Sequence, residues 1–377
     1  MKIFAIFLIL ILFLGCLGQE KKIEPQISRE DSIPKNALKM TPETDIYPPK
    51  LHSDEYEEPI PLPYPINTAG GEDSAFIMSD GNTLYFWFTP DVNISPEKQF
   101  LDGVTGIYVS KKQDGEWGEP ERIFLQDEGK LSLEGCAFVQ DDKMWFCSAR
   151  EGYTGVQWFT ADYINGKWQN WENADFNPYY EVGELHITAD GSEMYFHSPR
   201  AGGKGQYDIW VSKWKNDEWQ EPENIGVINT KENEGWPFIT QDGSELWFNR
   251  TYLGSPAIFR SKKINGKWQD AELIISQFAG EPSLDNAGNI YFTHHFYKDD
   301  KMIEADIYTA KKKYKSSAIL GCGAEIPKGV EICENCEKNY EIKINELRKQ
   351  RDEMREIIEN LEKKFLSAEI TKKNTRI

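Results

Sequence analysis

Five copies of one unit run through the middle of this chain, and a repeat at fixed period constrains the architecture more than any other feature. Residues 229–250, NTKENEGWPFITQDGSELWFNR, align without a gap on residues 67–88, NTAGGEDSAFIMSDGNTLYFWF. Each copy begins with a strand that ends at an Asp-Gly-like turn: IMSDGN, FVQDDK, ITADGS, ITQDGS and LDNAGN, near residues 80, 141, 190, 242 and 287. A second strand follows in LYF (84–86), MWF (144–146), MYF (194–196), LWF (246–248) and IYF (290–292). A third follows in GIYVSKK, VQWFTAD, DIWVSKW, AIFRSKK and DIYTAKK. The first four copies close with a second turn that leads to Trp117, Trp168, Trp219 and Trp268.

Asp-Gly and Asn-Gly turns supply the positive φ of a tight hairpin, so each copy reads as a small antiparallel sheet. Such a sheet has two apolar faces and cannot cover both alone; neighbours must stack, and a ring of stacked sheets is a β-propeller. The fifth copy lacks the Gly-x-Trp strand after DIYTAKKK, which would leave a bare edge. The segment PIPLPYPINT (59–68) aligns with EPENIGVINT (221–230), the outer strand of an intact copy. The expected fold class is therefore all-β, a five-bladed β-propeller over residues 60–313 closed by an N-terminal strand that pairs with the blade ending near Lys313. A C-terminal α-helical, coiled-coil tail follows it.

Glu, a short gap, an apolar pair, Asp-Gly, Leu-Tyr-Phe, Asp-Ile-Trp-Val-Ser and Trp-x-x-Pro-x-Asn-Ile together make a pattern that resembles the WD40-like β-propeller repeat of the TolB-associated type. The resemblance covers residues 60–313. It implies an extracytoplasmic binding or scaffolding module, commonly without catalysis, and it implies architecture more firmly than activity.

The flanks set the address. MKIFAIFLILILFLGC carries one Lys, an apolar run from Ile3 to Leu14 and then Gly15-Cys16, a secretory signal over 1–16 that is too short to span a bilayer. Its end resembles a lipobox with Cys16 as the lipidated residue, which implies a membrane partner through the lipid anchor and an extracytoplasmic location. Residues 17–59 are rich in Pro, Glu, Lys and Ser and read as a disordered tether. A net charge of -19 argues against a nucleic-acid partner, which would demand a Lys/Arg-rich face. Residues 319–337 resemble a degenerate zinc ribbon in which Cys322, Cys333 and Cys336 remain while Ile319 stands in the place of the fourth ligand. Three thiolates leave open a zinc site with a borrowed ligand, a disulfide plus an odd thiol, or a decayed ribbon. In the helix over 338–367, Ile344, Leu347, Met354, Ile358, Leu361 and Phe365, with Arg351 as one charged member, form a heptad seam that predicts a helix that self-associates into a homo-oligomer or packs against the propeller.

Candidate chemistry lies in the repeats. Glu72, Glu134 and Glu234 align, and Glu184 and Glu281 fall two positions later, which keeps them on the same strand face. Either these five carboxylates crowd an acidic, aromatic-rimmed channel mouth that binds a protein, a glycan or a cation, or they cap turns and bind backbone amides. The nearly repeat-wide placement argues for a non-enzymatic protein, the alternative being a glycoside hydrolase-like propeller that uses channel carboxylates. Blade one inserts residues 88–106 between its second and third strands, the kind of excursion that carries recognition. If Asp141-Asp142 is a two-residue turn, Cys136 stands opposite Cys147, as a cross-strand disulfide or as two buried thiols. His186 and His197 lie on adjoining strands and read as packed histidines; Asn93-Ile94-Ser95 and Asn249-Arg250-Thr251 match the N-glycosylation triplet.

Overall fold

The strand-turn-strand code of each repeat is realised as an antiparallel quartet. The computed structural model describes residues 28–176, 182–313 and Lys349. The chain divides into two compact units, Met1–Lys312 and Lys313–Ile377. Cys16, the three tail cysteines and the heptad seam residues lie outside the described residues. No described helix is long and apolar enough to cross a membrane.

The first copy forms strands Gly71–Ile77, Thr83–Thr89 and Gly106–Gln113 with a short outer strand Glu121–Arg122. The second forms Ser132–Gln140, Lys143–Arg150, Val156–Ile164 and Lys167–Asn173. The third forms Leu185–Ile187, Glu193–Ser198, Asp208–Lys215 and Glu223–Asn224. The fourth forms Glu234–Ile239, Glu245–Tyr252, Ser255–Ile264 and Glu272–Ser276. The fifth supplies Ala279–Leu284, Ile290–Lys298 and Lys301–Ala310. Its outer strand is Ile60–Pro61, which pairs antiparallel as Ile60 with Thr309 and Pro61 with Tyr308. Asn67 fastens this closure by donating to the Leu62 and Ile307 carbonyls and accepting from the Ile307 N–H. A single parallel bridge, Ala305 to Gly71, joins the fifth copy to the first.

The Leu-Tyr-Phe triplets are continuously apolar because both faces of each sheet are covered by neighbours. Leu84 and Phe86 pack with Tyr291 and Ile307 of the fifth copy. Tyr85, pointing the opposite way, packs with Met144, Phe146 and Phe159 of the second. Each such side chain contributes roughly 1.5–3 kcal/mol by leaving water.

Three repeat-wide glutamates turn out to be structural. Glu134 pairs with Arg150 at 3.4 Å and accepts from Ser132 Oγ. Glu234 pairs with Arg250 at 2.7 Å and accepts the Thr230 N–H and hydroxyl at 3.1 and 2.6 Å. Glu72 accepts the equivalent pair from Thr68 at 3.0 and 2.6 Å. Opposite Glu72, however, stands Phe88, where Glu234 faces Arg250. Arg29 fills the gap, 3.4 Å from Glu72 and over the Phe86 and Phe88 rings. In the fifth copy the pair facing across the strands is Ala279 and His294. Here the missing carboxylate is Asp45, whose Oδ2 lies 2.9 Å from His294 Nε2.

The expected tether over 17–59 is thus corrected from Ser28 onward, residues 17–27 lying outside the described residues. Arg29 and Tyr56 are buried, Lys39 pairs with Glu304 and Asp306, and Glu55 pairs with Arg260 at 2.7 Å. Lys50–Leu51 adds a strand to the outer edge of the fourth copy. Low apolar content did not leave this segment loose, because charged anchors and main-chain pairing hold it across the seam.

The innermost strands carry one further shared device. In copies one, two, four and five the register shifts between Asp73/Phe76, Gly135/Phe138, Gly235/Phe238 and Gly280/Ser283. Each bulge holds a residue at positive φ: Ser74 at 50°, Cys136 at 53°, Trp236 at 50° and Glu281 at 56°. The bulge also displaces Cys136 from the place opposite Cys147 that the turn count gave it. Cys147 faces Gly135, not Cys136, because the bulge consumes one residue, and both thiols are free.

Candidate functional site at the bulge end of the axis

Four bulge residues and one residue of the third copy meet at the axis. Ser74, Cys136, Glu184, Trp236 and Glu281, one from each copy, are half-buried and line a recess of about 60 Å³. One step deeper, Phe76, Phe138, His186 and Phe238 close the passage. His186 lies 4.4 Å from the Phe138 ring and 4.5 Å from that of Phe238, and Phe76 lies 5.5 Å from Phe138. Burial pushes the His186 pKa down to about 3, so the plug is a neutral ring cluster. Beyond it, at the Asp-Gly turn end, a separate cavity of about 580 Å³ is lined by residues such as Met78, Asp141, Thr240, Asp285 and Lys312.

Of the five carboxylates expected at one mouth, the structure brings Glu184 and Glu281 to the recess and withdraws Glu72, Glu134 and Glu234 into buried pairs. A shift of two preserves the face of a regular strand, but it carries Glu281 onto the bulge, where direction changes, and Glu184 to a place ahead of the strand Leu185–Ile187.

Glu184 accepts the Cys136 thiol at 3.1 Å and has His197 Nε2 at 3.5 Å. His197 Nδ1 accepts the Trp236 N–H at 3.3 Å, so Nε2 carries the proton that faces Glu184. The neighbouring Cys147 thiol, burial and Glu184 push the Cys136 pKa well up and keep it a thiol. His186 and His197 therefore serve different partners. Glu281 is held by its own N–H, which donates to Asn249 Oδ1 at 2.8 Å. Gly280 makes room for this bond, since a Cβ there would meet Asn249 Nδ2 at 2.7 Å. Asn249, buried in a strand, has no role as a glycan acceptor in the folded protein; Asn93 is exposed on the insertion.

Two residues that sequence reasoning missed stand beside Glu281. Asp73 Oδ1 lies 3.5 Å from His295 Nε2, and one donor atom from each of Asp73, Glu281 and His295 falls within 4.8 Å of the others. Burial and the charges of Asp73 and Glu184 raise the Glu281 pKa well above the usual carboxylate range. Burial works against ionisation of Asp73 and His295 too, but their mutual attraction outweighs it: Asp73 is lowered and His295 raised. A signal for Asp73 was present. The same column reads Gly135, Gly183, Gly235 and Gly280 in the other copies, and one acid in a glycine column breaks the repeat where asymmetry matters.

Aromatic rings rim this end. Phe278 lies 5.5 Å from Tyr47 and 4.5 Å from Tyr297, and Trp236 lies 5.0 Å from His197. The insertion 88–106 sits at the same seam, where Thr89 and Val92 join Asp73 and Met302 around a further recess of about 110 Å³.

No protein-family model matches the chain, and no curated protein matches it. Solved structures similar to it include an endo-arabinase from Bacteroides thetaiotaomicron, at 15% identity and a TM-score of 0.43, covering 64% of this chain and 94% of that one. TolB from Acinetobacter baumannii is similar at 12% identity and a TM-score of 0.36, covering 66% and 56%. A putative TolB from Agrobacterium tumefaciens is similar at 13% identity and a TM-score of 0.36, covering 64% and 91%. At this level of likeness none of them speaks to activity, and the nearly all-β, propeller-like architecture rests on the strand pairing itself.

Proposed function

We propose that this chain is an extracytoplasmic, membrane-tethered five-bladed propeller that binds rather than catalyses, taking a cationic group at the bulge end of its axis. The observation that carries this reading is the blind acidic recess, with Glu184 and Glu281 at its wall and an aromatic plug beneath. At about 60 Å³ it suits one ion or the tip of one side chain, whereas small-molecule sites usually run to roughly 300–1,000 Å³. The surrounding tyrosines, phenylalanines and Trp236 suit a cation's partner surface as well. The N-terminal signal supports the location, and the tail seam supports a homo-oligomeric display of the head.

Binding of a labelled arginine-rich peptide to the full chain at low salt tests this. Glu184→Gln and Glu281→Gln should each weaken it by about tenfold, the loss of one charge-assisted contact. Equal affinity in both variants and the parent chain would overturn the reading.

A second reading, a glycoside hydrolase, draws on one observation: Asp73 is held low while Glu281 is held high, the separation that a nucleophile and an acid require. Release of reducing ends from polysaccharide by the parent chain, abolished by Asp73→Asn, would favour it over binding.

A further inference from the structure

We propose that Asp73, Glu281 and His295 bind a divalent metal ion where the fifth copy meets the first. The proposal deepens the cation-binding reading of the acidic mouth and rests on it. Two carboxylate oxygens and one imidazole nitrogen from three strands converge within 4.8 Å, a mixed hard and borderline donor set that suits Mn²⁺ or Zn²⁺. A cation about 2.1 Å from each donor would draw them to about 3 Å apart.

Protein contacts leave part of this cluster unsatisfied. Glu281 Oε2 is shut off from solvent and has no hydrogen-bond partner among the described residues. Thr293, on the same strand face as His295, is fully buried beside Asp73, with its hydroxyl turned towards that carboxylate. Asp73 and His295, at 3.5 Å, are too far apart for a strong hydrogen bond. Main-chain bonds nonetheless hold all three in place: Asp73 Oδ1 accepts the Ser74 N–H at 2.8 Å, Glu281 N–H donates to Asn249, and His295 N–H donates to the Phe278 carbonyl at 3.0 Å. Donors fixed from behind, with Glu281 Oε2 unpaired in front and Asp73 and His295 only loosely joined, are what a metal site requires. Glu281 lines the axial recess and Asp73 the one beneath the insertion, so an ion between them has room for water or a ligand group on either side.

The test uses the full chain and Mn²⁺, a hard ion with little preference for the thiolates of the tail. Calorimetry and the Mn²⁺ electron paramagnetic resonance signal should report one saturable site per chain, weakened by about tenfold or more in His295→Ala and in Asp73→Asn. Glu184→Gln, outside the donor set, should weaken arginine-peptide binding and leave Mn²⁺ affinity nearly unchanged. Thermal melts in chelator identify any variant that fails to fold; Glu281→Gln, at a half-buried mouth position, then reads the same loss. No saturable Mn²⁺ binding, or binding untouched by the donor substitutions, overturns the metal site. In that event peptide binding that still depends on Glu184 and Glu281 leaves the acidic mouth standing, and its absence removes both.

Discussion

Copies two and four carry their own charge pairs, Glu134 with Arg150 and Glu234 with Arg250, whereas the seam between copies five and one borrows its partners from the N-terminal segment. Arg29 answers Glu72, Asp45 answers His294, and Lys39 answers Glu304 and Asp306. An interior repeat is flanked by neighbours of its own kind, even where the N-terminal segment lies along the outer edge of the fourth copy. At the seam the ring must be joined by a chain that enters from outside, so the closing segment brings the charges that the terminal copies lack. Closure here is both a main-chain strand and a set of buried electrostatic contacts.

Removing residues 28–61 should have the largest effect, because it strips the outer strand of the fifth copy together with Arg29, Lys39, Asp45 and Glu55. The expected outcome is loss of the cooperative thermal transition, read by circular dichroism; a sharp transition in the truncated chain would show that the repeats close without the strap. Within the intact chain, Arg250→Ala leaves Glu234 buried and unpaired and should cost about 3–5 kcal/mol in urea denaturation. Arg29→Ala should fall at the lower end of that range, since Arg29 stands 3.4 Å from Glu72 against 2.7 Å for Arg250 and Glu234. Equal costs would mean that the seam is as tightly paired as the interior.

The smallest effect is a pH slope. Burial, opposed by Arg29, pushes the Glu72 pKa up to about 7. A carboxylate whose folded pKa lies above its unfolded value of about 4.5 gives the folded state the extra proton, so stability is highest below pH 4.5 and declines as pH rises towards 7. Glu72→Gln should flatten that decline, measured as the urea midpoint at pH 5 and pH 7. The slope should shrink without vanishing, because burial also raises Asp306 to about 7 in the same seam. A slope unchanged by Glu72→Gln would show that the seam carboxylate ionises as freely as one in solution.

Strands and turns were legible because they are local: the Asp-Gly signals fall where Gly81, Gly191 and Gly243 take φ of 68°, 72° and 67°. The closing strand was legible too, since PIPLPYPINT matches an outer strand written elsewhere in the same chain. The candidate site was only half legible. Counting residues back from the Asp141-Asp142 turn set Cys136 against Cys147, and assuming regular alternation set five glutamates on one face. A bulge defeats the first count and the alternation at Glu281, because it inserts a positive-φ residue, whereas Glu184 lies ahead of a strand that begins only at Leu185.

Repetition, period-two alternation and turn chemistry reside in neighbouring residues, and from these the sequence by itself determined an all-β chain of stacked hairpin sheets with a strand donated from before the first copy. Only the tertiary structure decided which glutamates are buried with arginine and which face the axis, that Arg29 and Asp45 complete pairs with partners far away in sequence, and that Asp73, Glu281 and His295 meet. Those outcomes depend on where a bulge turns a side chain and on which distant charge can reach it, and burial makes such matches binding.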